Sequence, residues 1–237
     1  MIDINCDLGE GLENEHLIMP LISSCNISCG AHAGSVETID QVIRLAKEHG
    51  VKIGAHPSFA DKENFGRNVL EISNEALQES IVQQLTLFKE RAALQNAPIH
   101  HVKPHGALYN LIAVNQEKAA VVVKAIQAVF KNVKLYVPYN SVIEKVAVEN
   151  GLEIVYEAFA DRNYNNDLTL VSRALPYACL TDKVLILKHV QRMIESSKVK
   201  TVQDHDQYIK AQTFCVHGDN KHAIEILEYL QAHLEIH

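Results

Sequence analysis

Basic residues are in short supply in this chain: Lys and Arg number 22 against 29 Asp and Glu, a formal net charge of -7 over 237 residues. Without a surplus of positive charge there is no face to neutralise a phosphate backbone, which argues against a nucleic-acid partner and makes a small molecule the better default. No apolar run is long enough for a membrane span. At 47% hydrophobic and 22% charged the composition is that of an ordinary globular chain and not of a disordered one. The N-terminus carries Asp3 and Asp7 where a secretory signal has a basic and then an apolar stretch, so a cytoplasmic protein is expected. The five cysteines are odd in number and none has finger or ribbon spacing, which predicts reduced thiols. Cys25 and Cys29 read as small buried fillers in preference to zinc ligands. A P-loop is missing too, since Leu8-Gly-Glu-Gly11 lacks both the spacing and the Lys-Ser/Thr. No linker or repeat divides the chain, and residues 1–237 are expected to form one domain.

What the chain does have is a regular alternation of strand and helix patterns. Ile2, Ile4 and Cys6 alternate with Asp3, Asn5 and Asp7 in a first strand, and short strands follow at 21–29, 51–55, 98–102, 133–137, 152–159 and 213–216. Between them lie helical stripes. Ser35 and Ser73 stand as N-caps, Gly50 and Asn150-Gly151 as stops, and further helices are predicted at 116–130, 141–149, 182–194 and 221–234. Such alternation calls for a parallel sheet with helices outside it. The reactive residues fall at strand ends: Asp7 and Glu10, His32, His56, Lys103 with His105, Glu157 with Asp161 and Arg162, and His217 with Asp219. In a closed barrel those ends converge on one face, whereas in an open sheet they spread along a crest. An α/β fold, a single (β/α) barrel of about seven strands and TIM-barrel-like, is therefore predicted.

The densest stretch is His101-Val-Lys-Pro-His-Gly-Ala-Leu-Tyr-Asn110, which delivers Lys103, His105, Tyr109 and Asn110 into a Gly-broken turn before a helix. Two chemistries remain open. Asp7, His32, His56 and His105 make a mixed carboxylate and imidazole set for a divalent metal that would activate water. Alternatively, Asp7 or Asp161 orients a histidine for metal-free acid-base work, while Lys103 or Arg162 holds an anionic substrate group. Tyr109 and Asn110 are candidate donors to a developing oxyanion. Glu157 is either a catalytic carboxylate or an ion-pair partner of Arg162 or Lys103. The polar loop 58–67 has the length of a lid or binding loop. His16, His49, His100, His189, His205, His222, His233 and His237 are expected at the surface.

These motifs together resemble the LamB/YcsF family. The pieces that carry the resemblance are NCDLGEG (Asn5 to Gly11), SCGAHAG (Ser28 to Gly34), GAHPSF with FGR (Gly54 to Arg67), HVKPHGALYN, EAFADRNY (Glu157 to Tyr164) and CVHGD (Cys215 to Asp219). The resemblance implies a barrel like that of glycoside hydrolases and metal-dependent deacetylases. It also implies ATP-dependent opening of 5-oxo-L-proline to L-glutamate, with ATP as co-substrate, in company with 5-oxoprolinase subunits B and C. On that basis Asp7, His56, Lys103, His105, Glu157, Asp161 and His217 are the expected catalytic set, with Asn5, His32, Arg67, Tyr109, Asn110, Arg162 and Asp219 around the substrate. A non-catalytic binder of a small carboxylate or carbohydrate derivative, and a metal-dependent sugar deacetylase, are the alternatives. Two departures touch rim loops: Asp167-Leu168 stands where the family usually reads Asp-Gly, and the stretch from Gly11 to Ser23 is short.

Overall fold

The protein is described by a computed structural model covering residues 2–236. Nine strands form among the described residues, β1 (Asp3–Leu8), β2 (Ser24–Ser28), β3 (Lys52–His56), β4 (Ile99–Val102), β5 (Lys134–Pro138), β6 (Glu153–Phe159), β7 (Lys198–Lys200), β8 (Asp206–Tyr208) and β9 (Thr213–His217). Seven of them close into a parallel barrel in the order β1-β2-β3-β4-β5-β6-β9, and β7 pairs with β8 in a separate antiparallel ribbon. Closure is completed where β9 lies between β6 and β1, with Glu157 beside Thr213 and Asp3 beside Thr213. The barrel of about seven strands read from the sequence is thus present. The β7–β8 ribbon and the short helix α1 (Glu15–Ile18) were not anticipated, because three- and four-residue elements leave no periodicity to read.

The outer helices are α2 (Val36–His49), α3 (Asn74–Leu94), α4 (Gly106–Ile112), α5 (Gln116–Val129), α6 (Val142–Glu149), α7 (Lys183–Ser196) and α8 (Ala223–His233). Their starts follow local chemistry. Ser35 Oγ accepts from the amide of Thr38 and Ser73 Oγ from that of Ala76, both at 3.2 Å, and α2 stops at Gly50 with φ +69°. Each helix buries one apolar stripe against the outward residues of the strands, as Ile39, Val42, Ile43 and Ala46 do in α2. No helix among the described residues is long and apolar enough to cross a membrane.

The barrel interior is polar, unlike the branched apolar filling usual in such barrels. Asp3, Ser24 and Thr213 meet low in the barrel, with Asp3 Oδ1 accepting from Ser24 at 3.0 Å and Thr213 at 2.7 Å. Above them Asn5 and Asn26 bond to one another at 2.7 Å, and His101 Nε2 donates to Asn26 Oδ1 at 2.6 Å while its ring stacks on Tyr136. This follows from the period-two alternation in β1. The apolar set Ile4, Cys6 and Leu8 faces the helices, so Asp3, Asn5 and Asp7 face inward.

Of the histidines expected at the surface, His237 lies outside the described residues, His100 is half-buried beside His101, and His189 departs most. Its helix α7 packs it behind Tyr164, ring against ring at 6.1 Å, and burial pushes its pKa down to about 4. Because the folded-state value is depressed, the unfolded chain takes up a proton near pH 6.5 that the folded chain refuses until about pH 4. Stability is therefore full above pH 6.5 and declines as pH falls through that window, by roughly 1–3 kcal/mol from this residue. Urea midpoints measured from pH 7 to pH 4 should fall less steeply for His189→Gln than for wild type; equal slopes would refute the assignment.

Candidate active site

Lys103 is the node of the site. Only 2% exposed, its ammonium lies 2.9 Å from Asp7 Oδ1, 2.9 Å from Glu157 Oε1, 3.3 Å from Asn5 Oδ1 and 3.1 Å from Cys215 Sγ. Burial alone would lower its pKa, but Asp7 and Glu157 beside it raise it well above the usual value, so the group is a permanent cation. Asp7 is likewise desolvated, yet His56 and Lys103 hold its carboxyl well below the carboxylate range. Asp7, Cys215 and His217 form one potential metal-binding group, but the Lys103 ammonium already supplies the cation there.

A second group lies beside it. His32 Nε2 and His105 Nδ1 are each 3.3 Å from Glu10 Oε1, and His56 Nε2 is 3.7 Å from it. His56 directs Nδ1–H to the Lys103 carbonyl at 2.6 Å and His105 directs Nε2–H to the Phe65 carbonyl at 2.9 Å. With those tautomers the remaining lone pairs face one another, His56 Nε2 to His105 Nδ1 at 2.9 Å. Two lone pairs that close repel unless a proton or a cation joins them. Four donors set tetrahedrally at roughly 2.0–2.1 Å from an ion stand about 3.3–3.4 Å apart, close to the spacing here, so the residues fit a divalent metal. Backbone carbonyls fixing the ring tautomers are the supports that metal-binding imidazoles usually have.

A third arrangement is the pair His217 and Asp161. Asp161 Oδ1 bonds His217 Nδ1 at 2.8 Å and Oδ2 takes the His217 amide at 3.2 Å, while the ring stacks on Phe159. Burial opposes ionisation of Asp161, but His217 keeps its carboxyl below the usual value. The imidazole is held with one nitrogen committed to a carboxylate, which leaves the other for a ligand.

These groups sit at the floor of a cavity of about 910 Å3, lined there by Asp7, His56, Lys103, His105, Glu157 and His217. Two buried groups meet on it, the Tyr109 hydroxyl and the Glu157 carboxylate, the latter also holding its ion pair with Lys103. Burial and the adjacent Glu157 push Tyr109 well above the ordinary phenol range, so it is a neutral donor.

The structure brings Asn5, Asp7, His32, His56, Lys103, His105, Tyr109, Glu157, Asp161 and His217 to one end of the barrel. The placement of the others is more specific than the sequence indicated. Glu10 joins the histidine trio beside Asp7, whose Oδ2 lies 3.5 Å from His56 Nε2 while Lys103 and Asn26 hold its Oδ1. Of the two ion-pair partners offered for Glu157, the one it takes is Lys103. Arg162 is tied to the carbonyls of Val171 and Ala178. Tyr109 and Asn110 stand on α4 itself, and Asn110 is exposed on the outer wall. Arg67 pairs with Asp219 at the rim. Asn26 and Cys215 were missed, for an amide and a thiol within apolar strands carry no distinguishing signal. Cys25 and Cys29 are buried and free, as expected for fillers. Leu168 adopts φ +67°, the left-handed conformation that glycine takes without steric strain, and its turn is closed by the Asn165 carbonyl at 3.0 Å.

Comparison with known proteins bears on the fold and the family. The LamB/YcsF family profile matches residues 2–237. The 5-oxoprolinase A subunit of Shouchella clausii is 41% identical, over 100% of this chain and 95% of its own. That of Campylobacter jejuni subsp. doylei is 39% identical, over 99% and 94%. Among solved structures, the lactam utilization protein from Thermus thermophilus superposes with a TM-score of 0.91 at 34% identity, covering 99% of this chain and 98% of that one. A GH113 β-1,4-mannanase shares the fold alone, with a TM-score of 0.53 at 12% identity. With its whole length matched in sequence and its barrel matched in shape, this chain belongs to the LamB/YcsF family.

Proposed function

We propose that this chain is the ring-opening subunit of an ATP-dependent 5-oxoprolinase, acting with B and C subunits to convert 5-oxo-L-proline to L-glutamate. The observation that carries the reading is the buried Glu157 beside Lys103 and Tyr109 at the base of a cavity that His56, His105 and His217 also line. A lactam N–H is a donor suited to Glu157, and a lactam oxygen an acceptor suited to the Tyr109 hydroxyl. The relatives' names, as A subunits of 5-oxoprolinase, point the same way.

Ring opening adds water to the lactam carbon and then breaks the carbon–nitrogen bond, so one proton must leave the water and one must reach the departing nitrogen. In this reading His217, oriented by Asp161 at 2.8 Å, carries that proton. Lys103 stabilises negative charge that develops at the floor. An unactivated lactam resists water, which is why coupling to ATP makes chemical sense, with a phosphorylated lactam oxygen as the activated form.

A divalent ion held by Glu10, His32, His56 and His105 belongs to the proposal. Once bound, such an ion supplies Lewis-acid polarisation and an acidified water. Protein purified without chelator is expected to contain about one metal ion per chain by elemental analysis, and Glu10→Gln or His32→Ala to lose it. A fully active preparation with near-zero metal would remove this part.

Glutamate production from 5-oxoproline and ATP tests the whole, with the chain alone and then with candidate B and C subunits. Activity in the mixture that disappears on His105→Ala is expected. No activity in either, with 5-oxoproline still bound, would leave only a small-carboxylate binding protein.

A further inference from the structure

The cavity is polarised along its depth. Its floor carries Asp7 and Glu157 around one lysine, while its outer wall carries three guanidinium groups, Arg67, Arg162 and Arg173. Arg67 and Arg173 share a single carboxylate, Asp219 Oδ2, with Arg173 at 3.4 Å. Asp167, the other acid on that wall, is turned back onto the amide and hydroxyl of Thr169.

Arg162 is the telling member. It is only 4% exposed, and no carboxylate among the described residues pairs with it. Nε donates to the Ala178 carbonyl at 3.3 Å and Nη2 to that of Val171 at 2.6 Å, which leaves Nη1 without a partner among those residues. Asp161, its chain neighbour, is committed to His217 and Asn220. Burial first and the nearby Arg173 second lower the pKa of Arg162, against smaller opposing effects of Cys179, Asp161 and Tyr164. An isolated buried cation is expensive, and an incoming anion is what would relieve it.

We infer that the Arg162, Arg173 and Arg67 wall is a phosphoryl-group site, a deepening that rests on the ATP-dependent ring-opening reading above. A small lactam carboxylate needs one guanidinium fork, whereas a doubly charged phosphoryl group with three acceptor oxygens makes use of two or more. The volume agrees: about 910 Å3 lies at the upper end of the roughly 300–1,000 Å3 of small-molecule sites, far more than a five-membered lactam fills. During turnover the phosphoryl group comes either on the activated lactam or at the end of a nucleotide.

The test is calorimetric titration of the chelator-treated full chain with inorganic phosphate at fixed ionic strength, then with ATP. Phosphate is expected to bind wild type and to bind Arg173→Met at least about tenfold more weakly. Arg162→Met should weaken it further. Because Arg162 also braces the 171–178 loop, the exposed Arg173 variant keeps the test valid if Arg162→Met fails to fold. ATP binding more than about tenfold tighter than phosphate, with the same arginine dependence, would identify a nucleotide as the source; equal or weaker binding would identify the phosphorylated substrate, and both outcomes uphold the site. No phosphate binding at millimolar concentration, or binding indifferent to both substitutions, overturns it. Titration of 5-oxoproline into the same samples keeps the two readings apart: phosphate bound without any 5-oxoproline sinks the 5-oxoprolinase reading and leaves this site standing.

Discussion

Lys103→Met is expected to destabilise the protein by about 3–5 kcal/mol and to lower any ring-opening activity by at least about a hundredfold. The side chain fits the same space, so the effect comes from charge. Asp7 and Glu157 lie 2.9 Å from the ammonium, both nearly inaccessible to water, and its removal leaves two buried carboxylates without a cation. Breaking a buried ion pair from one side costs far more than replacing both members, since the survivor keeps its desolvation penalty. Lys103→Met combined with Asp7→Asn should therefore recover part of the stability, Glu157 still lacking its cation, and none of the activity. Urea unfolding of the two variants decides this. A single variant as stable as wild type would mean that water or a proton satisfies the carboxylates and that Lys103 is not the node.

Gly54→Ala is expected to cost about 3 kcal/mol or more, at or beyond the upper end of ordinary overpacking. A Cβ on Gly54 would fall closer than 3.0 Å to three atoms of the His101 imidazole, a separation real Cβ atoms essentially never show. The ring cannot retreat. It stacks on Tyr136 at 3.9 Å between centroids, and its Nε2 is bonded to Asn26 at 2.6 Å. The pairing of β3 with β4 shifts register between Ile53 and Gly54, as glycine in a strand often marks a bulge and a close approach. Truncating the ring should undo the clash, so Gly54→Ala with His101→Ala is expected to be more stable than the sum of the single variants predicts. Strict additivity in thermal or urea melts would show that the two positions do not touch.

The His217–Asp161 pair and the Lys103 node were legible as residue types at strand ends, because parallel strands closed into a barrel send all their C-terminal ends to one face. Which carboxylate serves which partner was not. Asp7 lies near the end of β1 and Glu10 just beyond it, and the path of the loop through Gly9 turns Glu10 toward His32 and His105 while Asp7 stays over Lys103. Arg162 shows the same limit. Its sequence neighbour Asp161 suggested a polar loop end, yet the fold buries the guanidinium against two carbonyls, a contact between residues nine and sixteen positions apart.

By itself the sequence determined the class of fold, the order of its main strands and helices, the polar and apolar alternation of β1 and the family. Each of these follows from local periodicity, capping chemistry or short motifs, which act over a few residues and can be read along the chain. Only the tertiary structure decided the Glu10 and histidine cluster, the sharing of Lys103 among four acceptors, and the lone buried Arg162 above a floor of carboxylates. Those depend on through-space distances of about 3 Å between residues up to a hundred or more positions apart, and pairing energies at that range are decided by burial and geometry that no linear pattern encodes.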